Sequence, residues 1–318
     1  MARLATLAAL LVALAVTHGR AAPPTTDPIR LELTLEGQRV FVLAPARVAL
    51  ADEVDLFVYL HGLDGYYWRR GKDNALEATG LAPAVATLDR DLVVILPEAR
   101  RGDADRSVAL QRVLNRPGGA ERLIDTALAA LAGHTGRPAP RVRAIGLAAH
   151  SGGGGMIGPT LAPEGGRFGA LVTDVTLMDA GYPYRRSWEL CRDWLAAGPA
   201  GKTLRIFHGG DAGASFAVGF FSRDNPAPRP AGLRRYTGVA PALAARALTL
   251  TPEQLGSFEV GDLDFELLEL TRADHPDGRV HARFGSALAE GHWRIRDATL
   301  VPAARAVGRG PDAWRLAR

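Results

Sequence analysis

Ala149-His150-Ser151-Gly152-Gly153, set directly behind the run Val142–Ala148, apolar but for Arg143, constrains this chain more than any other segment. An apolar run of that length, bounded by turn residues, reads as a strand buried on both faces. A serine with small residues two positions to either side then permits a sharp strand-to-helix turn, because larger flanking side chains would collide there. Such a turn lifts the hydroxyl above the sheet edge. The helix behind it starts with N–H groups that lack intrahelical partners, at the point where an oxyanion would form. The pattern predicts a nucleophile elbow at Ser151, with Ala149 where the common form has Gly. The alternative is a loop that cradles phosphate, but Gly152 to Gly155 match neither G-x-G-x-x-G nor G-x-x-x-x-G-K-[ST].

Around this segment the periodicities alternate between strand and helix. Ile29, Leu31, Leu33 and Leu35 alternate, Glu36-Gly37 turns, and Val40 to Leu43 returns, which predicts a hairpin. Val54–Leu60 follows as a short strand ending in His61-Gly62-Leu63-Asp64-Gly65. Helical sequence over 75–88 leads to a strand at Leu92–Leu96, closed by Pro97. Ala120, Leu123, Ile124, Ala127, Leu128 and Leu131 mark one face of an amphipathic helix after Gly118-Gly119. Beyond the elbow come strands at Val175–Met178 and Leu204–Phe207, with a helix around Trp188 between them. The order predicts an α/β chain with a mainly parallel central sheet and helices on both faces.

The N-terminus departs from globular composition. Met1-Ala2-Arg3 is a short basic start, Leu4–Val16 is nearly all apolar, and Gly19-Arg20-Ala21 places small residues where a signal peptidase reads them. The run is short for a bilayer span, so residues 1–21 read as a cleaved signal peptide, with no stable membrane insertion afterwards. Residues 22–318 then read as a single secreted or periplasmic domain. Removing Arg3 and Arg20 leaves 36 basic against 34 acidic residues, a balance that argues against a nucleic-acid partner. Cys191 is the only cysteine, which excludes an internal disulfide; Trp188, Cys191 and Leu195 share a helix face, the setting of a buried structural thiol.

With the elbow on the fifth strand and a strand ending in His61-Gly62-Leu63, the chain resembles the α/β-hydrolase fold superfamily over nearly all of its mature length. More narrowly, His150-Ser151-Gly152-Gly153-Gly154, Pro117-Gly118-Gly119 and Leu177-Met178-Asp179-Ala180-Gly181-Tyr182 are similar to exported bacterial serine hydrolases of this fold. The resemblance implies that the N–H groups of Leu63 and Gly152 form the oxyanion hole. It also implies a triad in the chain order Ser, acid, His.

Two acids fit that order. Asp211 follows the expected seventh strand, the usual place for the acid in this fold, and Asp179 follows the sixth, where the narrower likeness points. For the base, the turn sequence His275-Pro276-Asp277-Gly278 between Phe265–Leu270 and Val280–Phe284 suggests a hairpin, which places His275 at its tip. His292, in Gly291-His292-Trp293 ahead of a closing helix with Leu300, Ala304 and Val307 on its apolar face, is then favoured. His275 is the alternative base, with His281 behind it; His208 reads as a loop-packing residue.

Tyr66, Tyr67 and Trp68 follow the oxyanion loop and are candidate walls of a substrate pocket. Residues 212–262, with Phe216, Phe220 and Phe221, a Pro-rich stretch and Ala-rich helical sequence, form an insertion after the seventh strand that could cap the site. No H-E-x-x-H motif or Cys/His cluster points to a metal, and the triad chemistry calls for no cofactor. The expected reaction is hydrolysis of an ester (or amide) of a small-molecule or acyl substrate. Two rivals stand beside it: a catalytically silent member of the fold that binds a ligand or partner, and a lipase or peptidase working at a lipid surface.

Overall fold

A computed structural model describes residues 27–62, 75–98, 106–162, 166–178, 202–208, 246–250 and 299–309, with Ala180, Leu190, Cys191, Trp194, Arg296 and Asp297 between them. Its centre is an eight-stranded sheet in the order β1-β2-β4-β3-β5-β6-β7-β8. The strands are β1 (Ile29–Leu35), β2 (Gln38–Ala44), β3 (Glu53–Leu60), β4 (Leu92–Glu98), β5 (Arg141–His150), β6 (Val172–Met178), β7 (Thr203–His208) and β8 (Arg246–Leu250). Strands β4, β3, β5, β6 and β7 run parallel, while β2 and β8 run against them.

The hairpin forms where the alternation places it. Glu36 and Gly37 both take positive φ, 48° and 81°, the backbone of a two-residue turn whose twist matches its strands. The parallel strands are apolar on both faces, and each face has its own core. Val54, Leu56, Val58 and Leu60 of β3 join one cluster with α4 (Gly119–Thr135) and α5 (Gly154–Leu161). Phe57 and Tyr59 of the same strand join the other, with α1 (Ala75–Thr79), α2 (Leu81–Ala86) and the C-terminal helix over 299–306. This two-core, mainly parallel sheet with an N-terminal hairpin is the α/β-hydrolase fold.

Three sequence readings change. The helix expected over 75–88 breaks at Gly80, whose φ of 65° ends α1 and starts α2. A further helix, α3 (Arg106–Leu114), packs against α5 and supplies Leu110, Val113 and Leu114 to the core. Within the stretch read as an Ala-rich helical insertion, Arg246–Leu250 is instead β8, paired antiparallel to β7 from Leu204↔Leu250 to His208↔Arg246. The β-branched and leucine side chains of Leu248-Thr249-Leu250 suit a strand as well as a helix, so local composition did not decide.

An ionic network centred on the buried Asp55 and Asp174, with Arg143 half-exposed at its rim, ties the C-terminal helix to the N-terminal edge of the parallel strands. Arg143 grips Asp55 with two bonds of 2.9 and 2.8 Å, and this partner raises the Arg143 pKa above its ordinary value. Arg90 also bonds Asp55, and it donates to the carbonyls of Arg305 at 2.9 Å and Val307 at 2.8 Å. Next to it, Asp174 accepts from Arg205 and from the Gly308 N–H, each at 2.9 Å. Gly146 allows the helix to come close, since a Cβ there would lie 2.4 Å from Val307 Cγ2. Arg90→Ala leaves a buried carboxylate with one cation fewer and frees two helix-end carbonyls. It is expected to cost about 3–5 kcal/mol in denaturant unfolding. Arg116→Ala, which breaks an exposed pair with Glu36, should cost less than about 1 kcal/mol.

Candidate active site

The C-terminal ends of β3, β5 and β6 come together around Ser151. His150 closes β5 in extended conformation at φ −119°, ψ 135°, and Ser151 then swings to φ 51°. That is the left-handed region, which costs a non-glycine residue on the order of 1–2 kcal/mol and persists only where the surroundings hold it. A 3-10 turn over Ser151–Gly153 runs straight into α5. Ser151 is thus the strained residue of a strand–turn–helix junction, as the motif predicts.

Glycines let the neighbouring chain close in. A Cβ on Gly62 would lie 2.6 Å from Ser151 Cβ and 3.1 Å from its Oγ, so the His61-Gly62 segment lies against the serine itself. A Cβ on Gly153 would meet the Leu60 carbonyl oxygen at 2.2 Å. On the far side, one on Gly154 would sit 2.1 Å from the Ala180 carbonyl oxygen. The buried His61 ring folds back on its own loop, with Nδ1–H donating to the Gly62 carbonyl at 2.7 Å. Because a carbonyl can only accept, this contact holds the ring with Nδ1 turned toward the Gly62 carbonyl.

From α3, Gln111 Nε2 donates to the Gly152 carbonyl at 3.2 Å, and from the turn just past it Asn115 Nδ2 donates to the Gly155 carbonyl at 3.1 Å. Sequence reading passed over both. Two amides four residues apart, one in a helix and one just past its end, carry no motif, and only the fold brings them to the elbow.

Of the residues predicted for the site, Ser151 and Gly152 are described and lie together at the junction. Leu63, Tyr66, Tyr67, Trp68, Asp179, Asp211, His275, His281 and His292 lie outside the described residues, as do the segment 1–21 and most of 212–262. The two neighbours of Asp179 are described. Met178 pairs with His150 across β5 and β6, and Ala180 rests on Gly154. Among the described residues no group of three or more His, Cys, Asp or Glu could hold a metal ion, and no helix is long and apolar enough to cross a membrane.

Cys191 is buried in the core beside Trp194, and burial pushes its thiol well up from the ordinary value, so it remains a protonated packing group. Nearby, Lys202 donates to the Trp194 carbonyl at 3.0 Å and stacks on its ring at 5.0 Å, with burial lowering its pKa.

No protein-family model matches the chain, and no curated protein sequence does. Among solved structures it is similar to an S-formylglutathione hydrolase from Agrobacterium tumefaciens, at 16% identity and a TM-score of 0.32, over 49% of this chain and 60% of that one. A fungal esterase from Rhizomucor miehei aligns at 12% identity and a TM-score of 0.32, over 52% and 49% of the two chains. Carboxyl esterase 2 from Tuber melanosporum aligns at 14% identity and a TM-score of 0.30, over 52% and 48%. The chain therefore spans between 48% and 60% of the length of these proteins.

Proposed function

We propose that this protein is an exported serine hydrolase that cleaves an ester bond through an acyl-enzyme on Ser151. The observation that carries the proposal is the approach of Gly62 to Ser151: a strained serine at the end of a central strand, with the next strand's His-Gly loop pressed against its side chain. In this reading Ser151 Oγ attacks the carbonyl carbon while His292, or His275, takes its proton. The oxyanion settles between the N–H groups of Leu63 and Gly152. The imidazolium then returns the proton to the leaving alkoxide, and a water deprotonated by the same imidazole releases the acid and restores the serine. Asp179 or Asp211 orients the imidazole. Tyr66, Tyr67 and Trp68 wall the acyl site, and serine, imidazole and carboxylate together supply all the chemistry.

A fluorophosphonate probe tests this, because an activated serine attacks phosphorus readily and unactivated hydroxyls do not. Labelling confined to the peptide that carries Ser151, with hydrolysis of chromogenic esters, is the expected result. A folded protein that takes no label would instead favour a silent, ligand-binding role. Export is tested by mass spectrometry of the protein recovered outside the cytoplasm, where the mature chain is expected to begin near Ala22. Retention of Leu4–Val16 would mean a membrane anchor.

A further inference from the structure

We infer that Gln111 is a positioning residue for the oxyanion-binding backbone at Gly152, an inference that rests on the serine-hydrolase reading of the same site. The elbow is followed by four glycines in succession, Gly152 to Gly155. Glycine leaves φ and ψ almost unrestricted, so this stretch has no side chains of its own to hold an N–H in place. Catalysis by an oxyanion hole depends on donors fixed before the reaction begins.

Gln111 adds a side-chain restraint from outside the segment to the turn bond that the Gly154 N–H makes to the Gly152 carbonyl. Its amide donates to the Gly152 carbonyl at 3.2 Å, and because a carbonyl can only accept, the amide orientation is set. Holding that carbonyl fixes the peptide plane on one side of Gly152. On the other side, the Ser151–Gly152 plane is held by the Gly154 N–H, which donates to the Ser151 carbonyl. The Gly152 N–H lies in this preceding plane, so holding the following plane restrains the two backbone rotations at Gly152 through which the donor could drift. Glycine at 155 is what makes room for the amide: a Cβ there would lie 3.1 Å from Gln111 Nε2 and 3.4 Å from Cδ. Asn115, in the turn just past α3, bonds the Gly155 carbonyl inside α5, away from the donor peptide. It serves as the internal comparison, a side-chain amide bond from the neighbouring turn that is made to α5.

The test uses the full-length protein as exported, with a fluorophosphonate probe and the chromogenic ester it hydrolyses best. Gln111→Met removes the donor at similar volume, and Gln111→Glu keeps the shape but opposes a carboxylate to the carbonyl, so one variant suffices if the other fails to fold. Either is expected to lower kcat and the labelling rate about tenfold, with KM changed less than about twofold, as when an interaction felt only in the transition state is weakened. Asn115→Ala is expected to lower thermal stability to a similar extent while kcat stays within about twofold. Gln111 variants with wild-type kcat and labelling rate would overturn the inference, as would an equal loss of kcat in Asn115→Ala. Failure of the wild-type protein to label at Ser151 would overturn the underlying hydrolase reading, and is distinguishable because no variant is needed to see it.

Discussion

Ser151→Ala is expected to lower ester turnover by about six orders of magnitude, the loss seen when the nucleophile of a well-studied serine triad is removed. The residue is only 8% exposed and sits at φ 51°, so its surroundings already impose the strained backbone that an alanine would inherit. Alanine carries the same Cβ, which is the atom nearest to the Gly62 position, so the approach of the His61-Gly62 segment is undisturbed. The variant should therefore fold with a stability within about 1 kcal/mol of wild type, the range expected where no packing or buried pairing is lost. Turnover measured on the purified variant, beside its thermal unfolding, checks both halves. A folded alanine variant that retains more than a tenth of the activity would move the nucleophile elsewhere.

The elbow could be read from sequence because its requirements are local. Small residues flanking a serine, behind an apolar strand, are the direct imprint of a turn that admits nothing larger, and Ser151 has the positive φ that such a turn demands. The hairpin at Glu36-Gly37 and the buried face of α4 were legible for the same reason: each depends on residues within a few positions of one another. What escaped the sequence is non-local. The Asp55, Arg90 and Arg143 network draws on residues 35 and 88 positions apart, and no spacing rule marks Asp55 and Arg90 as buried partners with Arg143 at their rim. Gln111 reaches across 41 residues to Gly152 and has no signature at all. The strand at Arg246–Leu250 was missed because an edge partner for β7 is specified by pairing, and its short apolar run fits either secondary structure.

The acid is expected to be Asp179, and the pair Asp179→Asn and Asp211→Asn should show it. A triad carboxylate works by holding the imidazole in one tautomer and one orientation, so its own backbone must be firmly placed relative to the serine. The residues on either side of Asp179 meet this condition: Met178 is fully buried and paired with His150, and Ala180 is buried with its carbonyl against Gly154 at the start of α5. Both contacts are made to the elbow itself. Strand β6 also lies directly beside β5, whereas β7, which precedes Asp211, is one strand further out, about 5 Å more. That spacing favours Asp179 over Asp211, the other acid that fits the chain order, at the fold's usual acid position. Asparagine is nearly isosteric with aspartate, so the loss at the true acid is electrostatic and tautomeric, roughly four orders of magnitude in turnover with little change in melting temperature. At the other position the substitution removes an ordinary loop or capping carboxylate and should cost no more than about 1 kcal/mol of stability, with activity retained. Turnover of the two variants on one chromogenic ester, with melting temperatures alongside, separates the cases. A collapse of turnover in Asp211→Asn alone would place the acid after β7 and leave Asp179 a structural role beside the elbow. Near-normal activity in both would mean that the imidazole is oriented by another group, and the elbow would then have to work with a dyad.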